Sequence, residues 1–293
     1  MVANLMNVSI ASGSIPEEWQ TAFVTPVPKV TKPITVSDFR PISVTPILSH
    51  LTEKLVVQNY ICPVLYTCNT ADQFAFRPTG STSSAMIYLL HKVTAYLEYN
   101  NYVRCLLIDF TKAFDVIDRI LLLCKVDNLV LPDSVKHWIA TFLSNRKQAT
   151  RVNSAVSILL PTNLGIVQGS VLGPSLFTLM ISDLKPVTDQ NDMCKYADDL
   201  TLIVPENSDV SIEIEFQTIQ QWAAANKLMI NLSKTKEIVF HRPKPAKPIL
   251  PPLLNSIERV SVTKLLGILV NDTLSFNPHV HNLLSVCSQR LFL

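Results

Sequence analysis

The stretch Lys195-Tyr-Ala-Asp-Asp-Leu-Thr-Leu-Ile-Val204 sets two adjacent carboxylates, Asp198 and Asp199, inside an otherwise apolar, strand-like run. Two neighbouring anions repel, and apolar surroundings raise the pKa of at least one of them unless a cation or a donor compensates. A β-hairpin with both aspartates at its tip accounts for the pair taken alone, because Asp is a common turn residue. A divalent-metal site also accounts for it, and needs further carboxylate from elsewhere in the chain.

A third carboxylate stands at Asp109, where the run 102–109 (YVRCLLID) reads as a strand that becomes buried and then ends on an acid. If that strand lies beside the hairpin of Asp198 and Asp199, three carboxylates converge at one sheet edge. Oxygen donors in that number suit Mg²⁺ or Mn²⁺ rather than zinc or copper. Two such ions a few ångströms apart activate an attacking hydroxyl and stabilise a leaving pyrophosphate in an in-line displacement. Asp115 and Asp118 follow at helical spacing and read as structural, by capping or by pairing with Lys112 or Arg119.

With 293 residues, 48% hydrophobic and only 16% charged, the chain has the material for a sizeable core and not the composition of a disordered one. It is long enough for one large domain or two small ones. No apolar run reaches the roughly 18 to 20 residues of a spanning helix. No Lys or Arg precedes Lys29, so a signal peptide is not expected and the setting is read as intracellular. Cys62, Cys68, Cys105, Cys124, Cys194 and Cys287 form neither a CxxC pair nor a cluster at zinc spacing, which points to buried free thiols in a reducing compartment. The net charge of +2 says little about partners, but Lys234, Lys236, Arg242, Lys244 and Lys247 concentrate positive charge against Glu237 alone. A nucleic-acid contact and a solvated loop both account for that cluster.

Along the chain, Pro16, Pro26, Pro28, Pro33, Pro41 and Pro46 forbid regular helix over residues 14–46 and favour strands and loops. Ser81 or Ser83 can cap a helix whose apolar face is Met86, Leu90, Val93 and Leu97. Residues 121–130 and 134–143 read as helices, 147–160 as a hairpin, and the segment after Gly173-Pro174 as a helix with Pro174 in its first turn. A long amphipathic helix carries Ile212, Phe216, Ile219 and Ala223 on one face, followed by short strands at 236–241 and 259–270 across a Pro-rich link at 243–252. No internal repeat is visible. The order is α+β, with strands from distant parts of the chain gathered into one sheet.

DFTKAFDVIDR, GIVQGSVLGPSLF and KYADDLTLIV, in that order, closely resemble motifs A, B and C of reverse transcriptases, specifically those of non-LTR (LINE-type) retrotransposons. IPEEWQTAFVTPVPK, DFRPISVTPILSHLTEKLV and DQFAFRPTGSTSSA resemble the finger-region blocks of that branch, and NLSKTKEIVF and VTKLLGILVND its motif D and primer-grip region. The likeness runs from Ile15 to Asp272. It implies right-hand-like polymerase fingers and palm, with an antiparallel palm sheet packed on helices and the thumb largely missing. Residues 1–100 would be the fingers region, truncated at its N-terminus, 101–272 the palm with fingers segments interleaved, and 273–293 the start of a thumb or connection. The implied activity is RNA-directed DNA polymerisation through two Mg²⁺ ions, or Mn²⁺ in their place. The implied partners are an RNA template, a DNA primer or target and dNTP, with no membrane and no obligatory protein partner. The nucleus is the implied place of action during integration.

The same resemblance implies a role for each matching residue. Asp109, Asp198 and Asp199 would bind the metal ions, with the Phe110 carbonyl as a further ligand. Phe114 would sit beneath the incoming sugar and exclude a ribose 2′-hydroxyl; ordinary core packing is its other reading. Gln168 would contact the nucleotide, and Gly169 would let the backbone approach the nascent base pair. Arg77, with Lys29 or Arg40, would supply cations to the triphosphate; Arg40 could equally brace the fingers. Lys234 or Lys236 would stand near the outgoing pyrophosphate, and Leu266 and Gly267 would lie in the primer-grip region. Ala75 stands where the resembling sequences show Gly, which is expected to stiffen or shift the finger turn. The resemblance also implies that an endonuclease domain and further finger residues would come earlier and a thumb later, so the chain reads as a fragment. An inactive relic or co-opted RNA-binding module and a palm-type nucleotidyl transferase of the group II intron or telomerase kind are the rival readings.

Overall fold

Residues 102–108 form a strand because their side chains alternate between two faces that are both covered, and the other elements of interest are arranged around it. The structure, a computed structural model, describes residues 2–68, 70–244 and 249–292. Lys247 of the basic cluster lies outside the described residues. The chain crosses three times between two compact units, one made of residues 1–70 and 112–183, the other of 71–111 and 184–293. In chain order, the first unit opens with α1 (Val2–Ser12), β1 (Thr21–Pro28), β2 (Phe39–Val44), α2 (Ile47–Val56) and α3 (Cys62–Thr67). The second unit begins with α4 (Thr82–Leu97) and β3 (Tyr102–Ile108). The first resumes with α5 (Arg119–Asp127), α6 (Asp133–Leu143), β4 (Lys147–Val152), β5 (Ala155–Val156), β6 (Leu160–Pro161) and α7 (Leu172–Met180). The second ends with β7 (Asp192–Tyr196), β8 (Asp199–Pro205), α8 (Ile212–Ala225), β9 (Lys236–His241), β10 (Glu258–Arg259), β11 (Val262–Leu265), β12 (Ile268–Asn271) and α9 (Asn277–Leu291).

In the first unit the strands run in the order β2-β1-β4-β5, with β6 also paired to β4. β1 pairs with β4 only over residues 21–24, so Pro26 and Pro28 fall where that side of the strand needs no donor. Asp118 caps α5, accepting from the Ile120 and Leu121 N–H groups at 2.9 and 3.1 Å. The helix read after Gly173-Pro174 is α7, with Pro174 in its first turn; it ends at Met180, and its residues are buried nearly all round.

Glu53 ties α2 to α7 from a fully buried position. Its Oε2 accepts from the Val171 and Leu172 N–H groups at 2.8 and 3.1 Å, at the N-terminus of α7, and its Oε1 accepts from the Ser49 hydroxyl. Burial outweighs these bonds and raises the carboxyl above its usual 4.5. The native state therefore holds the proton more tightly than the unfolded chain, and stability falls as pH rises from 4.5 through the folded-state value. Glu53→Ala is expected to cost about 2–4 kcal/mol by leaving two buried N–H donors unpaired. Glu53→Gln keeps an acceptor and should flatten the pH dependence; denaturant melts of both variants across acidic pH check this.

The second unit is built on the sheet β10-β9-β3-β8-β7, antiparallel throughout except for β10 beside β9. Met86, Leu89, Val93 and Leu97 of α4 pack on Val103, Cys105, Ile203, Ile238 and Phe240 of the sheet, with Leu90 only partly buried. Ser81 caps α4, its hydroxyl accepting from the Ser84 N–H at 3.0 Å. Ile212, Phe216, Ile219 and Ala223 of α8 are buried as their spacing predicts. The segment read as one strand over 259–270 is instead the end of β10 followed by the hairpin β11–β12, because the chain turns at Leu266 and Gly267. Cys105 and Cys194 are buried, but Cys124 and Cys287 are exposed, so the reading of buried thiols holds for only part of the set. Among the described residues no helix is long and apolar enough to cross a membrane.

Candidate active site

β3 and β8 run antiparallel with Ile108 opposite Leu200, and one further step in that register sets Asp109 opposite Asp199. Side chains at directly opposed positions stand roughly 4.5–5.5 Å apart at Cβ. Tyr196 pairs with Asp199, which leaves Ala197 and Asp198 as a two-residue turn. Only Asp198 is thus in the turn; Asp199 opens β8, which corrects the picture of both acids at the tip. Ala197 has φ 55°, a left-handed conformation that costs a non-glycine residue roughly 1 kcal/mol, so the backbone is strained where it presents Asp198.

The carboxylates sense one another. Asp199 borders a cavity whose walls desolvate it, and that burial, with the like charges of Asp198 and Asp109, pushes its pKa up to about 6. Burial also raises Asp109, with Asp198 adding to the rise and Lys234 opposing it from 3.9 Å. The cavity holds about 190 Å³ and is lined by Asp109, Asp199, Tyr196, Lys234, Lys236 and Leu266 among others. Lys236 is ion-paired with Glu258 there, whereas Lys234 is largely exposed. Leu266 and Gly267, at φ 46° and 97°, make the β11–β12 turn, and Leu266 lines the cavity. Phe110 is buried beside Trp222 and bridges to Ile230.

Among the described residues, no three His, Cys, Asp or Glu side chains stand close enough, as placed, to grip a metal ion. The donor set fits a hard divalent cation on electrostatic grounds. All three donors are carboxylates, two of them are raised by burial and by mutual repulsion, and Lys234 offsets that repulsion at Asp109. Asp198, in the turn, is exposed.

Arg77 belongs to the same unit, half-buried, and donates to the Gln73 carbonyl at 3.2 Å. Ala75 is buried without a left-handed backbone; it is Phe76 that takes φ 60°, so the turn accommodates alanine directly. Gln73 was not singled out by its sequence, yet its Oε1 accepts from the Ala75 N–H at 2.9 Å and the Ala197 N–H at 3.2 Å. One buried amide thereby joins the loop of Arg77 to the turn of Asp198.

Lys29, Arg40, Phe114, Gln168 and Gly169 belong to the other unit. Gly169 has φ 103°, and a Cβ there would meet the Ser43 carbonyl oxygen at 2.5 Å. The Ser43 N–H donates to the Gln168 carbonyl at 2.7 Å. Gln168 Nε2 donates to Asp115 at 2.7 Å, a partnership that the helical spacing of Asp115 did not reveal. Phe114 stacks on Phe177 with centroids 4.2 Å apart, so part of the ring is core and part is exposed. Lys29 Nζ donates to the Ser37 carbonyl at 3.0 Å, and Arg40 is exposed on β2. Gly169→Ala is expected to cost about 1–3 kcal/mol in backbone strain, visible as a lower denaturation midpoint.

Residues 27–270 match the family described as reverse transcriptase (RNA-dependent DNA polymerase). The chain is 27% identical to the RNA-directed DNA polymerase from mobile element jockey of Drosophila melanogaster, over 96% of the chain and 32% of that relative. It is 27% identical to the probable RNA-directed DNA polymerase from transposon BS of the same fly, over 99% of the chain and 34% of that relative. The chain thus spans about a third of the length of these relatives. Its fold is similar to that of apo telomerase from Candida tropicalis truncated from its C-terminal domain, with a TM-score of 0.59 and 12% identity over 94% of this chain and 58% of the other.

Proposed function

The chain belongs to the reverse transcriptase (RNA-dependent DNA polymerase) family, and from that membership we propose that it transfers nucleotides from dNTPs to the 3′-hydroxyl of a DNA primer on an RNA template. The observation that carries this reading is the opposition of Asp109 and Asp199 across β3 and β8, with Asp198 in the adjoining turn. These three residues, with the Phe110 carbonyl, would hold two Mg²⁺ ions, or Mn²⁺ in their place. When bound, the ions supply Lewis acidity to the primer hydroxyl and neutralise charge on the departing pyrophosphate. Lys234 is the better placed of the two lysines to donate a proton to the pyrophosphate, since Lys236 is engaged by Glu258. Arg77, Lys29 and Arg40 would bind the triphosphate; Gln168, Gly169 and the exposed part of Phe114 would position the nucleotide and bar a 2′-hydroxyl. Leu266 and Gly267 would steady the primer terminus.

In this reading residues 1–100 are fingers, 101–272 palm with interleaved fingers segments, and 273–293 the start of a thumb, and the protein acts in the nucleus during integration. The test is incorporation of dNTP on a primed RNA template by the purified chain. Incorporation that a chelator stops and Mg²⁺ restores is the expected result. A folded chain that binds the primed RNA but adds no nucleotide would overturn the proposal in favour of a binding module.

A further inference from the structure

The β7–β8 ladder closes with the pair Tyr196 and Asp199, so the N–H of Ala197 lies in the turn, beyond the acceptors of the ladder. Ala197 also takes φ 55°, a conformation that two-residue hairpin turns usually assign to Gly, Asn or Asp, because a Cβ makes it costly. The N–H is taken by Gln73 Oε1 at 3.2 Å, and the same oxygen accepts from the Ala75 N–H at 2.9 Å. Among the described residues, no other hydrogen bond reaches Ala197 or Asp198 from outside the hairpin. Gln73 is itself fixed. It is 2% exposed and bridges to Lys195, with the Phe74 N–H donating to the Lys195 carbonyl at 2.9 Å and the Lys195 N–H to the Asp72 carbonyl at 2.8 Å. Asp72 is ion-paired with the buried Lys195 at 2.9 Å and with Lys185 at 2.7 Å. Arg77 Nη1 donates to the Gln73 carbonyl at 3.2 Å, so this residue is engaged through its side chain and its backbone together. All of these residues belong to the second unit.

The Nε2 of Gln73 is buried and meets no hydrogen-bond partner among the described residues, so the amide is held for its oxygen. A carboxylate could accept the same two bonds and would leave no donor unpaired, but it would add a negative charge next to a turn region that already carries two. A neutral acceptor avoids that repulsion. We propose that Gln73 is a positioning residue for metal binding. It holds the strained turn so that Asp198 stands beside the opposed Asp109 and Asp199, and it fixes the loop of Arg77 to the same point. The role rests on the reading of the three carboxylates as metal ligands.

The experiment is Mg²⁺ titration of the purified wild type and of Gln73→Met. It is read by dNTP incorporation on primed RNA and by the amide signals of chains labelled with ¹⁵N-alanine, which report Ala75 and Ala197, the two donors to Gln73. Methionine keeps the length of the side chain and removes the acceptor. The variant is expected to need about tenfold more Mg²⁺ for half-saturation in both readouts. Gln73→Glu keeps the acceptor and should need no more than the wild type. A purely structural role would lower the melting temperature and the active fraction without moving the half-saturating Mg²⁺, and that result would overturn the proposal. Hydrogen exchange of the wild type serves if Gln73→Met does not fold. Protection of the Ala197 amide comparable to that of Ala75 is expected, and exchange at the rate of a free turn amide would overturn the role of Gln73. The two readings fail separately. If the wild type incorporates dNTP and Gln73→Met does so at the same Mg²⁺, the positioning role alone is lost. If Mg²⁺ shifts the Ala197 signal, and less readily in Gln73→Met, yet neither chain incorporates dNTP, polymerisation alone is lost.

Discussion

Asp109→Asn is expected to lower nucleotide incorporation by about three orders of magnitude, or ~4 kcal/mol of transition-state stabilisation, while the chain stays folded. Asparagine keeps the shape of the side chain and removes one of three clustered charges, so the loss reports on charge and not on packing. The change also relieves repulsion. Asp199, now pushed up to about 6 by burial and by Asp198 and Asp109, loses one like-charged neighbour. The metal-free variant should therefore unfold no earlier than the wild type, and often slightly later. Activity and stability moving in opposite directions is the signature of a residue held in place for chemistry. Single-turnover incorporation on primed RNA and a denaturant melt decide the matter together. A drop of less than tenfold would mean that Asp109 carries no essential metal contact, and a parallel loss of stability would assign it to the fold.

The carboxylate arrangement was legible because each acid interrupts an apolar strand at a point where the register can be counted. YVRCLLID ends on its acid, KYADDLTLIV carries two, and antiparallel pairing of the two runs brings them to one sheet end. The buried residues of α8 were legible from spacing alone, whereas on α4 the spacing named Leu90, which is only partly buried, and passed over the buried Leu89. What stayed hidden depends on contacts far apart in sequence. Nothing local marks Gln73 as the acceptor for the Ala197 N–H, or Asp115 as the partner of Gln168, since each pair forms only when distant segments meet. The break in residues 259–270 was hidden for another reason. Leu266 and Gly267 take left-handed conformations in a two-residue turn where Asn-Gly or Asp-Gly is the usual signal, and alternating apolar residues on either side read as one continuous strand.

Glu237→Ala is expected to cost about 3–5 kcal/mol, the largest loss of stability foreseen for a single substitution in the second unit. Glu237 lies opposite Leu106 in the β3–β9 ladder with its side chain 0% exposed. Its two oxygens are divided between two guanidiniums: Oε1 accepts from Arg104 Nε at 2.6 Å and Oε2 from Arg259 Nε at 2.8 Å. Arg104, itself buried, also donates to Glu213 at 2.8 Å and to the Pro252 carbonyl at 3.3 Å. Removing the central carboxylate leaves one guanidinium buried with only the half-exposed Glu213 as counter-charge, and unties β10 from β9. The pair has no such leverage when broken from the outside: Glu213→Gln should cost less than about 1 kcal/mol, because water reaches that carboxylate. The contrast between the two variants in guanidinium melts is the test. Equal and small losses would mean that solvent enters and satisfies Arg104. A large loss at Glu237 alone would place the network among the contacts that hold β9 against β3, the strand whose far end delivers Asp109.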